Sequence, residues 1–381
     1  MKFLFITEYY PGGGRKASVN SRERLFSGFL NDSIFLSPES NALGRNFYFK
    51  HYLLNRQKFP FNIYLIRLSV VDLLDFSWKV YKFITLGRII LKKYPEIERI
   101  VGVSDTGPAI VGTFLLSIFS RKSYSVIMFD LWRDNFLHPV DKLISIVFEG
   151  AVMRKAKSVI SIGYGTANIL KKRYGVNPGV IYHSTGIPLK KPKLKKISSP
   201  AGILYSGSIY WPQVEPLKNL IKAIETRDNV YLDIYSFQKI GDLKKIGVTG
   251  RHVNFHSPVT NKEMMIIQKK YDILFLPLFT SGKGKHEILA AHPGKLAEYL
   301  VSGVPIIVCA PNESFLADYA SKNGFALVVR NNDPISLSMA INRLVDDDEL
   351  RANLVKRAWK VAVINHDIKR NIHITRRMLA N

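Results

Sequence analysis

The sequence predicts an α/β protein built from two consecutive doubly wound domains. Three observations lead there. Short apolar runs alternate with helical patterns along nearly the whole chain. The alternation starts afresh after Leu189-Lys190-Lys191-Pro192-Lys193-Leu194-Lys195-Lys196-Ile197-Ser198-Ser199-Pro200, a basic, proline-containing stretch without periodicity. The length of 381 residues exceeds one ordinary core and fits two domains of roughly 150–200 residues. The expected limits are a first domain over 1–188, a linker over 189–200 and a second domain over 201–364, with a last helix at about 365–381 packing back on the first domain.

In the first half, strand-like runs fall at 2–7, 62–67, 99–103, 124–129, 158–162 and 179–182. Helical patterns lie between them at 72–94, 108–120, 139–157 and 165–174. A series of this kind implies a parallel sheet with helices on both faces. In the second half, strands are expected at 201–206, 230–235, 253–256, 273–277, 305–309 and 326–329. Its helices are expected at 216–226, 262–269, 294–302, 314–322, 334–345 and 347–363. Ligands of open sheets bind beyond the carboxyl ends of the strands, so the cleft between two such domains is the expected active site.

Apolar residues make up 47% of the chain and charged residues 22%, which excludes a disordered protein. The single cysteine, Cys309, sits in an apolar run and reads as a small buried hydrophobe; no disulfide within the chain can form. The start, Met1-Lys2-Phe3-Leu4-Phe5-Ile6-Thr7, reads as a first strand rather than a secretory signal. The longest apolar run, Ala109 to Phe119, falls short of the ~20 residues that span a bilayer. Net charge is +25 and uneven: residues 1–196 hold 31 Lys and Arg against 13 Asp and Glu, and the remainder 24 against 17. A basic first half implies an anionic partner, such as lipid headgroups, nucleic acid or a phosphorylated substrate. Lys79, Lys82, Arg88, Lys92 and Lys93 lie among Trp78, Tyr81, Ile89 and other apolar residues, the pattern of a membrane-surface helix or of a helix packed on its sheet. Nucleic acid is not expected, because zinc-finger and aromatic RNA-binding patterns are both missing.

Candidate chemistry concentrates at predicted strand ends and helix starts. Pro293-Gly294-Lys295-Leu296-Ala297-Glu298-Tyr299-Leu300 precedes Gly303 and a buried strand. A helix start suits a phosphate, Lys295 adds positive charge, and Glu298 can accept hydrogen bonds from vicinal hydroxyls such as those of a ribose. The alternative is an ordinary helix opening with Glu298 in solvent. Gly207 and Ser208 follow the first strand of the second domain and form a second turn suited to a phosphate. Gly12, Gly13 and Gly14 follow the first strand of the chain, either as a close-approach loop or as a plain turn; neither a dinucleotide fingerprint nor a P-loop is present. Asp130 ends a strand, placed for proton transfer or hydroxyl binding or for capping the next helix, and Asp134 is a weaker competitor. The histidines lack metal-ligand spacing; His292 lies beside the helix start and faces either the ligand or solvent.

Taken in order, several segments resemble the retaining glycosyltransferases of the two-Rossmann-domain (GT-B) fold, close to family 4. Glu149-Gly150-Ala151-Val152-Met153-Arg154-Lys155-Ala156-Lys157-Ser158-Val159-Ile160 is similar to the helix and strand that close the family's first domain. Tyr182-His183-Ser184-Thr185-Gly186-Ile187-Pro188 stands where relatives carry an Asn-Gly-Val/Ile-Asp turn. Asn254-Phe255-His256-Ser257-Pro258-Val259 and Tyr271-Asp272-Ile273-Leu274-Phe275-Leu276-Pro277 resemble strands of the nucleotide domain, and the 293–305 stretch resembles the Pro-Ser-Lys-Leu-x-Glu-Tyr-Leu-x-x-Gly-x-Pro signature.

The resemblance implies transfer of a sugar, with retention, from a UDP- or GDP-linked donor to a hydroxyl acceptor, usually without a metal and with no resident cofactor. It places Glu298 on the donor ribose, Gly294, Lys295 and Leu296 at the diphosphate, Gly207 and Ser208 on the second phosphate turn, Gly12, Gly13 and Gly14 on the first domain's loop, and Asp130 on the catalytic side. Phe129 stands where relatives often have histidine. The family glutamate that contacts the donor sugar is replaced by Ala290; Glu287 is near but out of register, and Lys285, Glu287 and His292 are left as candidates for sugar or phosphate contacts. The expected acceptor is a lipid-linked or envelope glycan, with the enzyme on the cytoplasmic face of an anionic membrane. The alternatives are a GT-B sugar-nucleotide epimerase or an inert sugar-binding relative.

Overall fold

The computed structural model describes residues 2–8, 17–38, 45–48, 61–104, 107–134, 139–186, 189–279 and 285–381. It divides into two compact units, Met1–Tyr182 with Lys369–Asn381, and His183–Ile368. Both are parallel α/β sheets. The glycine loop Gly12, Gly13 and Gly14 lies outside the described residues.

The first unit runs β1 (Lys2–Ile6), α1 (Ala17–Ser27), β2 (Ser33–Ser37), β3 (Arg45–Tyr48), α2 (Phe61–Lys93), β4 (Ile97–Ser104), α3 (Pro108–Ser120), β5 (Ser123–Met128), α4 (Pro139–Lys155), β6 (Ser158–Ile162), α5 (Gly163–Tyr174) and β7 (Gly179–Ile181). Its seven strands lie in the order β3-β2-β1-β4-β5-β6-β7. The order reverses between β1 and β4, so the crevice beyond their carboxyl ends is the ligand position of such a sheet. The strands are nearly all apolar because helices cover both faces. Phe5 stacks on Phe35 at 4.9 Å and meets Phe26 and Phe29 at 5.4 and 5.2 Å, which fixes α1 against the sheet.

The second unit runs β8 (Ala201–Ser206), α6 (Trp211–Ile224), β9 (Val230–Tyr235), α7 (Ile240–Lys245), β10 (Val253–His256), α8 (Asn261–Ile267), β11 (Ile273–Pro277), α9 (Lys285–Ala290), α10 (Leu296–Leu300), β12 (Ile306–Cys309), α11 (Phe315–Asn323), β13 (Leu327–Val329), α12 (Pro334–Asp346) and α13 (Asp348–Asn365). Its sheet order is β10-β9-β8-β11-β12-β13, with the reversal between β8 and β11. Asp272, just before β11, ties down the preceding segment: it accepts from Ser198 N at 3.1 Å and Gly202 N at 2.8 Å and pairs with Lys195 at 3.0 Å.

The last helix, α14 (Ile368–Ala380), packs in the first unit. Gly28 leaves room for Ile372, since a Cβ there would come within 2.4 Å of it. Arg376 forms a two-pronged bond to Asp32 at 2.6 and 3.1 Å, and Asn371 donates to Tyr182 O at 3.0 Å.

Two expectations about elements are corrected. Residues 62–67 belong to α2, not to a strand; a short apolar run fits either a strand or a helix segment by pattern alone, and here continuity with the periodic stretch after it decides. The helix expected over 294–302 is only Leu296–Leu300, because Gly303, at φ +83°, turns the chain directly into β12.

Candidate functional site

In the second unit the structure brings together the turn after β8 and the start of α10. Lys295 is half-buried, and its ammonium is tucked beneath Gly207. Nζ donates to Ser206 O at 2.6 Å and stands 4.2 Å above the Tyr205 ring. A Cβ on Gly207 would lie 3.0 Å from that nitrogen, and Gly207 holds φ at +119°, so both space and backbone favour glycine. Tyr299, one turn into α10, shares a 3.2 Å hydrogen bond with Ser206 Oγ. Among the described residues no carboxylate pairs with Lys295, and burial lowers its pKa to about 7. The site therefore holds a cation with no counter-anion among the described residues, at the switch point of the sheet.

The N–H groups contribute less than the sequence suggested. Gly207 N is spent on Tyr235 O at 2.8 Å, and Leu296 N bonds Pro293 O at 3.0 Å. The Leu296 side chain is fully buried. With α10 only five residues long, its dipole is small. The positive charge here is the Lys295 ammonium rather than the helix end. Gly294 and Ser208 are exposed beside it, and Glu298 is half-buried on the same short helix, its carbonyl accepting from Gln268 Nε2 at 3.1 Å. The turn after Ser208 is held rigidly: Gln238 accepts from Ile209 N at 3.1 Å and donates to Ile209 O at 2.9 Å.

His292 is buried rather than exposed. Its ring lies 5.3 Å from His183, 5.4 Å from His366, 5.9 Å from Phe315 and 6.0 Å from Tyr319. Burial, with His183 and His366 adding to it, pushes its pKa well below the ordinary histidine value. His366, also buried, shares bonds with His183 O at 2.6 Å and Tyr319 Oη at 3.1 Å, and burial lowers its pKa to about 4. This cluster holds the α11 and α13 ends beside residues 183–185. Ala290 is a buried methyl at the end of α9. Lys285 and Glu287 belong to that helix, and their side chains fall outside the described set.

In the first unit, Asp130 follows β5 and is fixed by Ser104 at the end of β4. Ser104 Oγ accepts from Phe129 N at 3.0 Å and donates to Asp130 O at 3.2 Å. The carboxylate is 56% exposed and lies 3.6 Å from the buried Arg22 guanidinium. Dense surroundings raise its pKa and Arg22 opposes this; the open surface keeps it hydrated and reachable. Arg22 in turn lies 4.9 Å over the Phe129 ring. Sequence reasoning missed Arg22, which reads as an ordinary polar residue of α1, and Glu8, a buried carboxylate two residues past β1 with Lys79 at 3.9 Å. Asp134 has a structural role: Arg173 clasps it at 2.6 and 3.0 Å, while buried Glu149 accepts from Arg133 N at 3.2 Å and from Tyr174 Oη. Burial raises the Glu149 pKa.

Among the described residues no three His, Cys, Asp or Glu side chains group so as to hold a metal ion. No described helix is long and apolar enough to cross a membrane.

Comparison with known proteins bears on the fold and on part of the second unit. Residues 217–361 match the sequence model described as "Glycosyl transferases group 1". A search of curated protein sequences gave no match. Solved structures align over the whole chain. Sucrose-phosphate synthase from Thermosynechococcus elongatus superposes with TM-score 0.68 at 11% identity, covering 100% of this chain and 99% of that one. Anabaena Alr3699/HepE in complex with UDP-glucose gives 0.66 at 12% identity, covering 100% of both chains. A glycosyltransferase from Rickettsia africae gives 0.62 at 13% identity, covering 100% of this chain and 99% of that one. Residues 217–361 of the second unit thus match the group 1 glycosyl transferase model, and the two-domain GT-B fold is shared with these structures over the whole length of the chain.

Proposed function

We propose that this chain transfers a sugar, with retention, from a nucleotide-diphosphate donor to a hydroxyl acceptor. The observation that carries the reading is Lys295: an ammonium without a described acidic partner, set under the Ser206–Gly207 turn at the carboxyl end of β8. A donor diphosphate supplies the missing anion. Charge builds on that diphosphate as the glycosidic bond breaks, and a preorganised cation in a half-buried site stabilises it, lowering the barrier to an oxocarbenium-like transition state. Glu298 takes the ribose hydroxyls, Gly207, Ser208 and Gly294 line the phosphates, and Lys285, Glu287 and His292 remain candidates for the sugar end, His292 through the packing it imposes.

In this reading the second unit binds the donor and the first the acceptor. Asp130, exposed and beside Arg22, is the polar group on the acceptor side, where it accepts a proton from the attacking hydroxyl or orients it. Gly12, Gly13 and Gly14 are assigned to this unit's ligand on the strength of the resemblance. The acceptor is a lipid-linked or envelope glycan, and the chain works on the cytoplasmic face of the membrane without a resident cofactor or metal. The UDP-glucose complex of the Anabaena protein supports a UDP-linked donor. Ala290 favours one other reading, a relative that binds nucleotide sugars without transferring them.

A melting panel with UDP, GDP and ADP, followed by assay of nucleoside diphosphate release from the matching sugar donors, tests the proposal. Stabilisation by one diphosphate together with release supports it. Stabilisation with neither release nor epimerisation when acceptor is present identifies the inert relative, and no stabilisation removes the donor site.

A further inference from the structure

We infer that the exposed face of α2, continued by the end of α3, docks this chain on a bilayer carrying anionic lipids. The inference deepens the membrane part of the proposed function and rests on it only for the class of partner.

Leu74, Trp78, Tyr81 and Ile89 are large apolar side chains left exposed on one side of α2, at the spacing of a single helix face. Tyr81 is 55% exposed and Ile89 57%. From Leu74 to Lys92 this face extends about 27 Å at 1.5 Å per residue. The neighbouring α3 lies parallel and close. A Cβ on Gly87 would come within 2.4 Å of Leu116, and one on Gly112 within 2.8 Å of Phe83. That register sets Ile118 and Phe119, both more than half exposed, at the same end as Ile89. The two helices thus present one long apolar and aromatic strip, more than scattered surface residues require.

The charge around the strip says what covers it. Residues 76–95 contain five Lys and Arg and not one acid. Lys79 is turned inward to Asp75 at 3.0 Å and Glu8 at 3.9 Å, so it takes no part in the surface. Lys82 lies 4.5 Å over the Trp78 ring, its stem along the apolar face. Arg88, Lys92 and Lys93 are exposed on α2, and Arg121 just beyond α3. An apolar strip with aromatics in the middle and cations at its rim is the composition of an in-plane helix: the rings enter the headgroup boundary while Lys and Arg meet lipid phosphates. A second copy of a chain with net charge +25 would bring cations against cations, and a nucleic acid would leave Ile89 and Phe119 without an apolar partner.

The test is co-flotation of the full chain with phosphatidylcholine vesicles, with and without phosphatidylglycerol, over a salt series. Wild type is expected to float only with the anionic vesicles, less so as salt rises, with a blue shift of Trp emission that Trp78→Phe abolishes. The double variant Arg88→Glu/Lys92→Glu is expected to weaken binding by tenfold or more, at about 1 kcal/mol per cation near the surface. Ile89→Ser/Phe119→Ser is expected to release the protein at lower salt. The remote reversal Lys244→Glu/Lys245→Glu, on α7 of the other unit, is expected to change little. Equal loss in that control would mean that net charge alone drives binding, and would overturn the assignment. So would absence of flotation at low salt, or self-association that Ile89→Ser disperses. Circular dichroism and the melting midpoint show that each variant is folded. The UDP-induced melting shift is read on the same samples, so failure of docking and failure of the donor reading give separate signals.

Discussion

Replacing Lys295 with methionine keeps most of the side-chain volume and removes the charge under Gly207. A charge-assisted hydrogen bond contributes about 1.5–3 kcal/mol, so UDP affinity is expected to fall by about 10–150-fold. With UDP at a hundred times the wild-type Kd, wild type gains about 2.7 kcal/mol from binding, and a variant weakened thirtyfold gains about 0.9 kcal/mol. At roughly 2–4 °C per kcal/mol for a unit of this size, the UDP-induced rise in melting temperature drops from about 5–11 °C to about 2–4 °C. The pH dependence makes the test specific. Burial lowers the pKa of Lys295 to about 7, and a diphosphate beside it raises that value. Binding above pH 7 therefore takes up a proton, and affinity falls by up to about tenfold per pH unit. Calorimetric titration of UDP in buffers of different ionisation enthalpy measures that proton directly. An unchanged UDP shift in Lys295→Met, or the same pH slope in the variant, would refute the assignment of this lysine to the diphosphate.

Further expectations follow from the same geometry. Asp130→Asn is expected to lower turnover by about 10²–10⁴ while UDP affinity stays within about twofold, measured by steady-state kinetics and calorimetry. Gly207→Ala forces φ +119° on a side chain and sets its Cβ 3.0 Å from Lys295 Nζ; denaturant unfolding is expected to show about 1–3 kcal/mol of lost stability, together with weaker UDP binding. His366 is held neutral in the fold, its pKa lowered to about 4. The unfolded chain thus binds the extra proton between pH 6.5 and 4, and the stability present above pH 6.5 is lost across that window. The loss is about 3 kcal/mol, and a His366→Asn variant is expected to show a flatter pH profile by urea unfolding.

The second unit was the more legible in sequence. Its inner strands, such as Ile273–Pro277 and Ile306–Cys309, are buried on both faces and read as continuous apolar runs. The start of α2 reads as a strand for the same reason, because a short apolar run does not distinguish a strand from a helix segment. The short β2 and β3 and the polar α1 carry too little pattern to stand out. Residue types and spacing single out Gly207, Lys295 and Glu298 as candidates, but not their contacts. Tertiary pairing decides that Gly207 N is occupied, that Lys295 rather than a helix dipole supplies the charge, and that Asp134 belongs to Arg173 while Asp130 stays reachable beside Arg22. Those facts depend on contacts far apart in the chain, which no local pattern encodes.

In the proposed function the Ser206–Lys295–Glu298 site holds a nucleotide-diphosphate sugar whose glycosidic bond this chain breaks. The most direct measurement is release of free nucleoside diphosphate from UDP- and GDP-sugars, with and without lipid-linked glycan acceptors, for wild type, Lys295→Met and Glu298→Ala. Release by wild type that rises with acceptor, a strong fall in Lys295→Met and weakened donor binding in Glu298→Ala are the predicted results. Recovery of an intact but epimerised nucleotide sugar would rule out transfer, and nucleotide affinity unchanged in Glu298→Ala would remove Glu298 from the donor site.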